Sequence, residues 1–238
     1  MEHIKKFLKP VLLVVLILSI FSCKNNKTEK EEEPHTMEEA EMPMTEFMPF
    51  KVITVKHKVA NYEKWRIEYD AHDSIRQAYG ITHYVLGRGM DDPNVIVVIN
   101  KINDVQKAKE FSKLPALKEA MKKAGVIGAP EFSYYDVIRN DDATINLKDR
   151  LMVTHRVKDF DAWLKVYDTE GINKRSEEGL IDRGMARGVD DPNVVTVVFA
   201  ISDMEKAKAS ITSEAKKKLM TEAGVEGVPQ MFYYKMVD

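Results

Sequence analysis

Apolar and polar residues alternate along several short stretches of this chain, and turn-forming residues separate those stretches. In residues 52–59 every second side chain from Ile53 onwards is apolar, except His57, which predicts a strand with one buried face. Asn61 stands where a helix N-cap belongs, and Gly80 is suited to end that helix. Aromatic residues between them recur at spacings of three and four, as on one helix face: Tyr62, Trp65 and Tyr69.

The following residues predict a hairpin, a second helix and a closing strand. Two alternating stretches flank Asp91-Asp92-Pro93-Asn94, where proline fixes φ and asparagine tolerates a left-handed turn. A helix should open at Asn103, be interrupted at Pro115 and stop at Gly125. Residues 131–138 then alternate as a strand.

This order of elements occurs twice, because the chain contains two copies of one sequence. RGMDDPNV at residues 88–95 returns as RGVDDPNV at residues 187–194, an offset of 99. Upstream the offset is 98, as for Trp65 and Trp163, so the second copy has one residue inserted between positions 169 and 175. The second copy has no counterpart of Pro115, so its second helix, opening at Ser202, is expected to be unbroken.

The repeat predicts two β-α-β-β-α-β units, at residues 51–138 and 151–238, joined by a linker at residues 139–150. Several features together resemble the dimeric α/β-barrel superfamily, in particular bacterial cyclase-like and antibiotic-biosynthesis-monooxygenase-like proteins. They are His57 on the first strand, Trp65 and Tyr69-Asp70 on the first helix, the polar hairpin, and Ala124-Gly125-Val126 before the last strand. The resemblance implies an α+β fold in which two ferredoxin-like units pair their sheets as an intrachain pseudo-dimeric barrel.

The amino terminus has the pattern of an export signal. A basic stretch precedes an apolar run at residues 11–21, and that run is too short to span a bilayer comfortably. It ends at Ser22-Cys23, which resembles a lipoprotein cleavage site, so residues 1–22 are predicted to be removed and Cys23 to be lipidated. Lys24 in place of aspartate favours the outer membrane, and the acidic residues 29–33 resemble surface-export signals.

Residues 23–50 are predicted to form an acidic tether to the membrane. From residue 24 onwards it carries three lysines against eight glutamates, with few aliphatic residues, which is typical of a disordered segment. Its methionines are irregularly spaced, so no metal site is expected there. The whole chain has a net charge of -2, which gives no electrostatic argument for nucleic-acid binding.

Candidate site residues lie on the first strand and first helix of each copy. His57 and His155 interrupt otherwise apolar faces, where each would be either a base or hydrogen-bond donor to a ligand or a buried neutral histidine. His72 is the second candidate catalytic group. The remaining candidates for ligand binding are Tyr62, Trp65, Tyr69, Arg76, His155 and Trp163, each of the tryptophans being equally suited to the core. The copies differ at Arg66/Leu164, His72/Glu170 and His83/Asp182, which points to the first copy if one half-site is active.

Three functions are compatible with these residues. The first is a lipid-anchored protein of the cell envelope that binds a small, partly apolar molecule, aromatic or anionic, between helices and sheet. The second, implied by the resemblance, is a cofactor-free oxygenase, isomerase or cyclase, so no cofactor is expected. The third is a non-catalytic partner in an envelope assembly, which predicts a large exposed apolar patch and no enclosed pocket.

Overall fold

A computed structural model describes residues 47–237 and contains the predicted strands and helices in the predicted order. The first repeat comprises β1 Phe50–Val59, α1 Tyr62–Ala71, α2 Asp73–Ala78, β2 Ile81–Gly89, β3 Val95–Ile102, α3 Val105–Ser112, α4 Pro115–Ala124 and β4 Val126–Asn140. The second comprises β5 Asp149–Val157, α5 Phe160–Glu177, β6 Leu180–Gly188, β7 Val194–Ile201, α6 Met204–Thr212, α7 Glu214–Glu222 and β8 Val225–Met236. The predicted signal segment, Cys23 and residues 24–46 lie outside the described residues.

The eight strands form one closed antiparallel barrel in the order β1-β3-β2-β8-β5-β7-β6-β4, with β4 pairing back onto β1. The two repeats meet at two seams, where β2 pairs with β8 and β4 pairs with β6. The α+β fold with an intrachain barrel is therefore confirmed.

Alternating strand residues divide the core into three layers. On β1, Ile53 and Val55 face the helices of the first repeat and pack with Trp65, whereas Val52 faces the barrel interior. The second repeat builds an equivalent helix–sheet core around Trp163. Close packing inside the barrel depends on Gly87, since a Cβ there would lie 2.2 Å from the buried Tyr234 ring.

The helices differ from the prediction in three ways. The first helix of the first repeat is divided at His72, and its counterpart α5 is kinked at Gly171, whose φ of 80° only glycine adopts easily. The second helix is broken in both repeats, so the expectation of an unbroken helix in the second copy is wrong. Ser213 makes that break without a proline, because its hydroxyl caps the backbone N–H of Lys216.

The starts of two helices and of one strand also differ from the predicted positions. The second helices are capped by Asp104 and Asp203, one residue later than predicted, because their carboxylates accept backbone N–H bonds three residues on. Strand β4 begins at Val126, five residues before the predicted start, with Gly128 at a φ of 74° beside a bulge against β1. No helix among residues 47–237 is long and apolar enough to cross a membrane.

Candidate functional site

A cavity of about 70 Å³ lies between the sheet and the helices of the first repeat. Strands β1 and β3 provide its floor, α1 and α2 one wall, and α4 the other. Its polar and aromatic lining residues are His57, Trp65, Glu68, Tyr69, His72, Arg76, Asn100, Phe111 and Phe132. A volume of this size accommodates a few water molecules or a small ligand.

An aromatic stack forms the wall on α1. The rings of Trp65 and Tyr69 stack with centroids 5.0 Å apart, and the His57 ring lies 5.4 Å from Trp65. The Arg76 guanidinium covers the other side of Tyr69, with Cζ 3.8 Å from the ring centroid. The helical spacing of Trp65, Tyr69 and Arg76, broken only at His72, brings two aromatic rings and one cation to the cavity, and β1 contributes the His57 imidazole.

His57 is a buried, neutral histidine. It is 6% exposed, and neither ring nitrogen has a hydrogen-bond partner within the described residues. Burial disfavours the imidazolium and lowers the pKa of His57 to about 4. At neutral pH its ring can therefore donate one hydrogen bond to a ligand and accept another.

The polar end of the first cavity contains Tyr69 and Asn100. The Tyr69 hydroxyl donates to Asn100 Oδ1 at 3.1 Å and lies 2.9 Å from His83 Nδ1. His72, which joins α1 to α2, lines the cavity with its Nδ1 2.7 Å from the carbonyl oxygen of Glu68.

Arg76 is buried, but its hydrogen bonds are incomplete. Nη1 donates to the carbonyl of Tyr69 at 2.6 Å, and Nη2 donates to Asp73 at 3.0 Å. The Nε atom is buried and has no acceptor among residues 47–237. An orphaned donor of this kind is unfavourable unless a ligand or water satisfies it.

The second repeat has a corresponding cavity of about 80 Å³ with the same four side chains. His155 lies 5.4 Å from Trp163, Trp163 stacks on Tyr167 at 5.3 Å, and Arg175 Cζ lies 3.8 Å from the Tyr167 centroid. Arg175, rather than Lys174, is therefore the counterpart of Arg76. Both ring nitrogens of His155 also lack partners among the described residues, and burial lowers its pKa to about 4.

Internal ion pairs occupy the polar end of the second cavity. Arg175 donates from Nε and Nη2 to Asp182 at 2.8 and 2.6 Å, and the Tyr167 hydroxyl donates to the same carboxylate at 2.9 Å. Lys216, which replaces Leu117 of the first repeat, pairs with Glu170 and lies 2.8 Å from Glu178. The charged groups at this end are thus neutralised by the protein itself.

Most of the predicted site residues meet at these two cavities. Tyr62 is the exception, since it lies outside the lining and stacks under the Arg88 guanidinium, with Cζ 4.0 Å from the ring centroid. Asn100 is a site residue that the sequence analysis does not predict, and the signal that marks it is its replacement by Phe199 in the second copy. Arg66, one of the predicted differences, pairs with Asp70 on the exposed side of α1.

Within residues 47–237, no group of three or more His, Cys, Asp or Glu side chains is arranged to hold a metal ion. No protein-family model matches the sequence. No curated protein matches it either.

The fold is shared with solved structures. An anthrone oxidase-like protein has 12% sequence identity and a TM-score of 0.55, with 79% of this chain and 92% of that chain covered. A candidate monooxygenase from Fusobacterium nucleatum subsp. nucleatum has 12% identity and a TM-score of 0.51, covering 79% and 93%. A ferredoxin-fold protein related to antibiotic biosynthesis monooxygenases, from Listeria monocytogenes, has 9% identity and a TM-score of 0.46, covering 81% and 97%. Likeness at this identity shows that the fold is shared with the first two structures, and nothing beyond the fold.

Proposed function

We propose that this protein binds a small, partly apolar molecule in the helix–sheet cavity of the first repeat. The ligand class that suits the cavity is a single-ring phenol. Its ring would pack against Trp65 and Tyr69, and its hydroxyl oxygen would accept a hydrogen bond from Arg76 Nε and bond to His57 or Asn100. The volume of about 70 Å³ favours one ring over a fused system unless the helix side chains move, and Met121 on α4 is a flexible side chain at that wall.

One observation carries this proposal: the first cavity is lined by Arg76, whose Nε has no acceptor among the described residues, and by His57, whose ring nitrogens have no partner there, whereas Asp182 satisfies the corresponding arginine in the second cavity. A buried cation with an unused donor favours an electron-rich oxygen. The second cavity offers only its histidine, so we expect its affinity for the same ligand to be lower.

Tryptophan fluorescence tests the proposal, because each of the 2 tryptophans lies in one cavity. The W163F variant leaves Trp65 as the only reporter, and the W65F variant leaves Trp163. Titration with phenol, catechol and hydroquinone should give saturable quenching in W163F and a linear, unsaturated response in W65F. A linear response in both variants would refute binding in either cavity.

A second candidate function is a cofactor-free oxygenase acting on the same ligands. His57 favours it, because its neutral imidazole lines the cavity and can accept a hydrogen bond from a phenolic hydroxyl, although a pKa of about 4 makes it a weak base. Two structural neighbours, an anthrone oxidase-like protein and a candidate monooxygenase, support the same class of chemistry. The rate of oxygen uptake with hydroquinone should then be at least 100-fold lower in H57A than in the wild-type protein. Equal uptake by the wild type and H57A, or no uptake by either, would refute this second candidate function.

We also propose that lipidation at Cys23 holds the protein in the cell envelope, at the outer membrane, with residues 24–50 as the tether. Replacing Cys23 with alanine should release the protein from the membrane fraction and abolish labelling by a palmitate analogue. A role as a non-catalytic assembly partner is less well supported, because that hypothesis predicts no enclosed pocket and the described residues enclose two helix–sheet cavities.

A further inference from the structure

A third cavity lies inside the barrel, between the two sheets and apart from both helix–sheet cavities. Its volume of about 270 Å³ exceeds either of them. Both repeats contribute to its walls, which are largely apolar and include Val52, Ile99, Val137, Met152, Val198 and Met236. The exposed linker residues Asp141 and Asp142 also line it, so the cavity opens to solvent beside the linker.

A buried guanidinium reaches this apolar cavity. Arg150 is 7% exposed, and its only hydrogen bonds run from Nη1 to the carbonyls of Leu147 at 2.7 Å and Asp149 at 3.1 Å. No carboxylate among the described residues forms an ion pair with it, and the Asp149 carboxylate pairs with Lys235 instead. Burial of the uncompensated charge lowers the pKa of Arg150.

The repeat shows that the barrel does not need a charge at this position. Arg150 directly precedes Leu151 just as Val52 precedes Ile53, its counterpart, and both Arg150 and Val52 line the cavity. A valine therefore suits the same place in the same fold. An arginine that is buried at a free-energy cost, where valine is sufficient, is accounted for by a bound anion.

Two other polar groups around the cavity already have partners. Arg183 pairs with Asp141 at 2.9 Å, and the Tyr84 hydroxyl donates to Asn140 at 3.0 Å. Asp142 is exposed at the mouth, where solvent screens its repulsion of an anion. Arg150 is thus the cavity's one guanidinium without a carboxylate, among the residues described.

We infer that the barrel cavity binds a small carboxylic acid with an apolar body. The carboxylate pairs with Arg150, and the body packs against the apolar walls around Val52 and Met152. This site is independent of the phenol site proposed for the first repeat, since the two share no lining residue.

Methionine methyl groups report on each cavity separately. Met152, Met185 and Met236 line the barrel cavity, Met121 lines the first helix–sheet cavity, and Met220 lines the second. The protein labelled with ¹³C at the methionine methyl groups should be titrated with octanoate, using octanol as the neutral control of equal chain length. Octanoate should shift the three barrel signals saturably, and octanol should bind at least tenfold more weakly.

The variant R150V carries the valine that the first repeat has at this position, Val52. It should bind octanoate at least tenfold more weakly than the wild-type protein and bind octanol with unchanged affinity. R150Q, which keeps donors without the charge, is the second variant if R150V does not fold, and R150K should retain most of the affinity. Unshifted barrel signals, or an octanoate affinity in R150V and R150Q equal to that of the wild-type protein, would overturn the inference. Shifts confined to Met121 would also overturn it, while indicating that the first helix–sheet cavity does bind ligands.

Discussion

The two helix–sheet cavities share a histidine, a tryptophan, a tyrosine and an arginine, yet they differ at the groups around the arginine. In the second repeat, Asp182 accepts two hydrogen bonds from Arg175, and Lys216 pairs with Glu170 and Glu178. In the first, His83, Leu117 and Tyr79 stand at the positions of Asp182, Lys216 and Glu178. The difference shows that, in one copy of a duplicated unit, internal ion pairs can satisfy the buried arginine, while in the other copy the arginine keeps a hydrogen-bond donor for a ligand.

At neutral pH, the largest expected effect comes from removing the carboxylate that pairs with Arg175 in the second cavity. D182A leaves Arg175 buried beside Glu170 alone and deprives Tyr167 of its acceptor, which should reduce the free energy of unfolding by about 3 kcal/mol. D168A is the matched control, because Asp168 also accepts two bonds from an arginine, Arg139, but is exposed. It should cost about 1 kcal/mol or less in urea unfolding. Equal losses would show that burial does not set the strength of the Asp182 pair.

The shared histidines predict the next effect, a loss of stability in acid. Their pKa values are about 4 when folded, below the ordinary value of 6.5, so the unfolded chain takes up protons first as the pH falls. Stability is then fully present above pH 6.5 and declines towards pH 4 by about 1.4 kcal/mol per pH unit for each histidine. H57L and H155L should each reduce the slope by that amount between pH 6 and 4.5. If the dependence of the unfolding free energy on pH is unchanged in either variant, the histidine replaced in that variant is already charged in the folded protein over this pH range.

Much of this architecture could be predicted from the sequence, because the duplicated Asp-Asp-Pro-Asn turns set the register of two identical element orders. Helix breaks were harder to predict. Pro115 marks one plainly, whereas Ser213 acts through a hydroxyl bond that a serine makes only in the right backbone geometry. The differences at His83 and His72 were visible in the alignment of the copies. Their meaning was not, since only the fold shows that Asp182 reaches Arg175 from another element.

A transfer of the second cavity's carboxylate to the first provides a smaller but sharper test. H83D places a carboxylate at the position of Asp182, so Arg76 Nε should gain an acceptor, while the Tyr69 hydroxyl keeps Asn100 as its own. Stability should rise by about 1 kcal/mol, as for a hydrogen bond to a charged group less its desolvation. Phenol affinity in the first cavity should fall about tenfold, because the orphaned donor is then used. H83N, which has no charge at this position, is the control. If H83D and H83N bind phenol with equal affinity, the Arg76 Nε donor does not contribute to phenol binding.

Anomalous diffraction from crystals soaked in 4-bromophenol tests the central claim most directly, because bromine marks each bound ligand by position. The two cavities have nearly the same volume, at about 70 and 80 Å³, so size alone gives the ligand no preference. We expect a bromine peak between Trp65 and α4 in the first repeat, with the phenolic oxygen within hydrogen-bond distance of His57 or Asn100, and none beside Trp163. Peaks of equal height in both cavities, or a peak beside Trp163 alone, would contradict the proposed division between the two repeats.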